Sequence, residues 1–137
     1  MRKSKLLPAA GICLAAVVGG ILLFTRMAGQ KPFKGLEPGD ITSAFVRLSP
    51  PDRTVQITDL EELASYLDAV VIYHEDNSYT QYAGQAVTFA ITLADGTQTE
   101  IMAYNPFLVI DGVGYKTQYG PCEALNAYAN RLLDKNL

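Results

Sequence analysis

Two side chains could together make a nucleophile. The chain has one histidine, His74, and two cysteines, Cys13 and Cys122. A thiol near a helix N-terminus is drawn towards thiolate by the unpaired amides there, and an imidazole within reach would serve as its base. A hydrolase or thiol enzyme built on Cys122 and His74 is therefore one reading. Against it, Cys122 opens the apolar series Cys122, Leu125, Ala129, Leu132 and Leu133, where a free cysteine behaves as a small buried hydrophobe. Other catalytic signatures are missing. There is no Gly-x-Ser-x-Gly elbow and no P-loop. The run "DGVG" at Asp111–Gly114 lacks the spacing of a dinucleotide fingerprint.

Metal and acid–base chemistry fare no better. Zinc needs several nitrogen or sulfur ligands, and one histidine with one distant cysteine does not supply them. "HEDNS" at 74–78 offers oxygens but neither the glycine nor the closing bidentate glutamate of an EF-hand loop. Glu61 and Glu62 are adjacent on an expected helix and so point apart. Glu75 and Asp76 fall in a loop. The sequence thus indicates no metal site and no cofactor. Tyrosine is the stronger signal, because it combines a large ring with one hydroxyl. Tyr73, Tyr79 and Tyr82 lie in the polar stretch "YHEDNSYTQYAGQ", and Tyr104, Tyr115 and Tyr119 lie in or beside the turns that follow. These six form the expected binding surface, the loop from Tyr73 to Gln85 beside the turns from Tyr104 to Tyr119. The competing expectation is that the rings only close a small core.

Placing those residues requires dividing the chain. Residues 6–25, "LLPAAGICLAAVVGGILLFT", carry no charge. Twenty helical residues span about 30 Å, the thickness of a bilayer core. The run is longer than the apolar core of a cleaved signal peptide, and the nearest cleavage site, "RMA", has Arg26 three residues before the cut. Cys13 sits in mid-run, so a lipoprotein signal does not fit either. An uncleaved transmembrane anchor at 6–25 fits best, with a basic cytoplasmic tail at 1–5. Gly11, Ala15 and Gly19 have the small-xxx-small spacing that lets membrane helices approach closely. A Gly- and Pro-rich spacer at 26–39 follows, and the folded domain is expected at 40–137, outside the cytoplasm. Residues 31–137 hold seven Lys or Arg against fourteen Asp or Glu, a net charge of −7. That balance argues against nucleic acid. With Cys122 the one cysteine beyond the anchor, the domain holds together by its core without an internal disulfide.

Within the domain, residue patterns predict the order β-β-α-(β)-β-β-β-β-α. Ala44, Val46 and Leu48 alternate with polar positions, as do Val55 and Ile57 after the turn "SPPDR". Thr58 and Glu61 have capping-box spacing before the helical stripe Leu60, Leu63, Ala64, Leu67 and Val71. Val87, Phe89, Ile91 and Leu93 alternate up to Asp95-Gly96, which reads as a two-residue hairpin turn. Asn105-Pro106 and Asp111-Gly112 mark two further turns. Pro121 suits the first turn of the last helix. Short connections make the sheet mostly antiparallel, with both helices on one face: an α+β, two-layer domain.

The segments "RLSPPDRTVQITDLEEL", "VVIYHEDNSYTQYAGQAVTF" and "AYNPFLVIDGVGYKTQYGPCEAL" resemble a family of uncharacterised membrane-anchored extracytoplasmic domains from gut Firmicutes. The resemblance covers most of residues 40–134. It implies a bacterial cell-surface location and a single domain, and it transfers no catalytic residue. The function expected is a non-catalytic, membrane-anchored surface module for binding, sensing or regulation, whose partner is a protein or a cell-surface ligand. A thiol enzyme is the alternative, and an inhibitor domain presenting the Tyr-rich loop is another.

Overall fold

The computed structural model describes residues 29–136. The tail at 1–5, the expected anchor at 6–25, Cys13 and the first three residues of the spacer lie outside them. Among the described residues no helix is long and apolar enough to cross a membrane.

The strands are β1 (Ile41–Ser49), β2 (Arg53–Gln56), β3 (Ile72–Glu75), β4 (Ala86–Leu93), β5 (Gln98–Tyr104), β6 (Phe107–Ile110) and β7 (Val113–Thr117). The helices are α1 (Leu60–Ala69) and α2 (Tyr119–Lys135). All seven strands join one sheet in the order β2-β1-β4-β5-β6-β7-β3, and every pairing is antiparallel. The two-residue period of a strand sends alternate side chains to opposite faces. Register aligns Val55 with Val46, Val46 with Phe89, and Phe89 with Ile101, so an apolar row crosses four strands. Both helices bury their stripes in the same cluster, α1 through Leu63, Ala64 and Leu67, and α2 through Cys122, Leu125, Ala129 and Leu133. The α+β class and its antiparallel sheet are as the pattern predicts.

The helices meet through a residue whose core role the stripe did not reveal. Tyr128 is 1% exposed. Its ring stacks on Tyr66 at 4.6 Å and lies nearly parallel to Phe89 at 6.2 Å. Arg131 closes the edge, with Nη2 donating to Tyr66 Oη at 2.6 Å and lying 3.6 Å from Glu62. Burial raises the Tyr128 hydroxyl well above the usual phenol range, and Oη has no partner among the described residues.

Four local expectations change. Asp59, not Thr58, caps α1: its Oδ1 accepts from the Glu62 amide at 3.0 Å, a geometry a carboxylate reaches as readily as a hydroxyl. The N3 residue of this cap, Glu62, pairs with Arg131. Asp95-Gly96 is not a two-residue turn, because only Gly96 takes positive φ, at 88°. Leu93 N donates to Thr97 O and Gly96 N to Leu93 O, giving a three-residue loop that ends on a left-handed glycine. Asp95 uses its carboxylate to hold the Thr97 amide at 2.9 Å. Asp111-Gly112, by contrast, has positive φ at both residues, 49° and 86°, as the two-residue turn requires.

The other two changes concern the loop and the spacer. Residues 73–85 are not wholly irregular: β3 takes their start and a 3-10 turn takes Ser78–Gln81. Only Ile72 of β3 is buried, so the strand leaves no alternation to read. The spacer joins the domain before residue 40. Gln30 and Ile72 exchange two backbone hydrogen bonds at 2.8 Å, and Phe33 and Leu36 pack against the core. Isolated apolar side chains in a Gly- and Pro-rich stretch carry no period, so their burial is invisible in the sequence.

The cap correction is testable. Asp59→Ala should cost about 1 kcal/mol in equilibrium urea unfolding, and Thr58→Ala less than about 0.5 kcal/mol. The reverse order would restore Thr58 as the cap.

Candidate ligand-binding groove

One end of the sheet is covered on its second face as well. Phe107 pairs across the ladder with Tyr104 and Lys116 and lies outside the helix-covered cluster, yet it is fully buried. Two tyrosines cover it, Tyr79 with ring centroids at 6.4 Å and Tyr82 at 5.3 Å. Lys116 Nζ sits 4.5 Å from the same ring centroid, a cation–π distance. Full burial of a phenylalanine is worth about 1.5–3 kcal/mol, enough to hold a short segment against the sheet.

Backbone chemistry at Gly114 positions that segment. Asp76 N donates to Gly114 O at 2.8 Å, and Gly114 N donates to Asn77 Oδ1 at 2.8 Å. Tyr79 Oη donates to Gly112 O at 3.2 Å. A Cβ at Gly114 would lie 2.5 Å from Asp76 O and 2.6 Å from Tyr79 Cδ1, so the close approach needs glycine. Hydrogen bonds from Ser78 hold the Asp76 carboxyl below its ordinary range, with Lys116 and His74 adding to the effect.

Beyond this lid the chain borders a groove of about 360 Å³, near the small end of the range of about 300–1,000 Å³ for ligand sites. Three separate segments build it: residues 82–85, the β5–β6 turn at Tyr104 and Asn105, and the α2 face carrying Glu123, Asn126 and Asn130. Gln85 and Asn130 tie the loop to the helix. Gln85 Nε2 donates to Pro50 O at 2.9 Å and to Asn130 Oδ1 at 3.3 Å, and Asn130 Nδ2 donates to Gln85 Oε1 at 3.1 Å. Asn105 Nδ2 donates to Tyr119 O at 3.2 Å and to Glu123 Oε2 at 3.3 Å. Asn105 Oδ1 is buried without a partner among the described residues. Tyr82 remains 56% exposed despite its contact with Phe107.

The structure sorts the six expected tyrosines. Tyr82 and Tyr104 line the groove. Tyr79 is the lid over Phe107. Tyr115 packs against the main core. Tyr73 is half-buried on edge strand β3, beside Gly29. Tyr119 is 65% exposed at the start of α2 and contributes only its carbonyl to Asn105. Gln85 and Asn105 fall within the expected loop and turns though neither is singled out, whereas Glu123, Asn126 and Asn130 lie outside them. Positions 123, 126 and 130 recur at helical spacing along one flank of the buried stripe, so the sequence marks them as one polar strip. It does not mark what that strip borders.

The thiol reading loses its chemistry. Cys122 is fully buried, and its Sγ donates to Phe107 O at 3.6 Å. Burial, with Glu123 adding, pushes the thiol up to about 12 against an opposing Tyr104 backbone bond. Thiolate is the nucleophile, and at neutral pH almost none forms. His74 is exposed on β3. Among the described residues no group of three or more His, Cys, Asp or Glu is placed to hold a metal ion.

Gly114→Ala should cost about 1–3 kcal/mol in urea unfolding and should expose residues 76–85 to limited proteolysis. Wild-type stability with an uncut loop would remove Gly114 from the positioning of the groove. No family model, curated protein or solved structure matches this chain.

Proposed function

We propose that this chain is a non-catalytic surface module, held in the membrane by residues 6–25, that binds a ligand in the groove between residues 82–85, the Asn105 turn and α2. The observation that carries the reading is convergence. Three segments remote in sequence meet around one polar groove, with an exposed aromatic ring at its rim and a buried acceptor, Asn105 Oδ1, left unpaired. Buried polar atoms are nearly always satisfied, and an exception calls for a specific account. The side chains that fix the groove, Gln85 and Asn130, spend their donors on each other and on backbone carbonyls, which favours a preformed shape over a collapsible one. Binding is favoured over catalysis by the burial of Cys122 and by the groove lining, where Glu123 is the one carboxylate among the described residues.

The membrane part rests on the uncharged run at 6–25, with the bulk of the chain outside the cytoplasm. Mass spectrometry of the protein extracted from membranes should find that run intact. A mature N-terminus near Gly29, or an acylated Cys13, would overturn the anchor. For the groove, a library of small polar fragments is screened by amide NMR on the full chain in micelles. Shifts should cluster at residues 82–85, 104–105 and 123–130. Fragment shifts centred elsewhere on the domain would displace the reading from this groove.

A further inference from the structure

The groove's unused hydrogen-bonding groups narrow the class of ligand, an inference that rests on the groove being a binding site. Among the described residues the Asn126 side chain and the Tyr82 and Tyr104 hydroxyls make no hydrogen bond, and Glu123 accepts one, from Asn105. The free set therefore contains groups that donate and accept, and groups that only accept. Partners that both donate and accept, such as hydroxyls, satisfy such a set most completely. Tyr82 adds a ring 56% exposed, a flat apolar surface beside the polar groups.

Competing classes fit less well. Among the described residues Glu123 is the only charged one lining the groove, so phosphates and other anions meet repulsion and no described cation. An extended peptide gains affinity by adding to a free sheet edge, but the edges are β2 and β3. The strands beside the groove, β5 and β6, already pair on both sides. The lining mixes apolar surface from Ala83, Ala127 and the tyrosine rings with amides, hydroxyls and a carboxylate, and an acyl chain would bury those polar groups unpaired. We infer that the groove takes a neutral saccharide chain, with the Tyr82 ring against the C–H face of one sugar and Tyr104, Glu123 and Asn126 on its hydroxyls.

The test uses the full chain in a detergent without a sugar headgroup. Calorimetric titration is run with neutral hexasaccharides of glucose, mannose and N-acetylglucosamine, and with uncharged capped hexapeptides. At least one hexasaccharide should bind. Tyr82→Ala should weaken it about tenfold and Asn126→Ala about fivefold, while Tyr119→Ala should leave affinity unchanged. Asn126 takes no part in the Tyr82 contact with Phe107, so its variant keeps the test independent of that contact. Binding of hexapeptides alone, lost in Tyr82→Ala, would overturn the saccharide and leave the groove standing. No binding by any hexasaccharide would also overturn it. Saccharide binding untouched by both Tyr82→Ala and Asn126→Ala would overturn the saccharide assignment and the groove together.

Discussion

An antiparallel sheet that buries one face under two helices still has to deal with its other face, and in this domain that requirement shapes everything near the groove. The row Val55, Val46, Phe89 and Ile101 commits the strands to one orientation. Once that register is set, the two-residue period forces Phe107 out through the opposite face. A bare phenylalanine there would forfeit its burial. The segment after β3 resolves this by laying Tyr79 and Tyr82 over it. The lid is a consequence of the core, and the groove is a consequence of the lid.

Gly114 makes the arrangement specific rather than merely hydrophobic. Apolar contact alone would let the segment slide, since hydrophobic burial has no direction. The paired bonds between Gly114 and residues 76 and 77, with no side chain intervening, fix its height and register. From that fixed point the chain reaches the mouth of the groove at Tyr82 with little freedom left. The Gln85–Asn130 pair then fastens the far end to α2. A loop held at both ends and in the middle is a preorganised surface, and preorganisation lowers the entropic cost of binding.

The same packing separates residues that composition had grouped together. Cys122 and Glu123 are neighbours in sequence, but α2 turns the first into the core and the second into the groove. The thiol is driven out of its reactive range by the burial that makes it useful for packing. Tyr128 and Tyr82 divide similarly. Tyr128 is sandwiched between Tyr66 and Phe89 at the helix interface, whereas Tyr82 is left with most of its surface in water.

The sequence by itself determined the class of domain, the order of its elements, the Asp111-Gly112 turn and the stripe of α2. Each rests on a local period or on the backbone preference of one or two residues, and such signals survive without knowledge of neighbours. It also pointed to the vicinity of the groove, through Tyr82 and Tyr104. Only the tertiary structure decided that Phe33 and Leu36 belong to the core and that Tyr79 is a lid. It alone brought Asn105, Glu123 and Asn126 to one groove. The physical reason is that these roles depend on contacts between segments distant in sequence. Whether a polar helix face meets water or another segment is set by how far a distant loop reaches, and nothing in the helix's own residues records that.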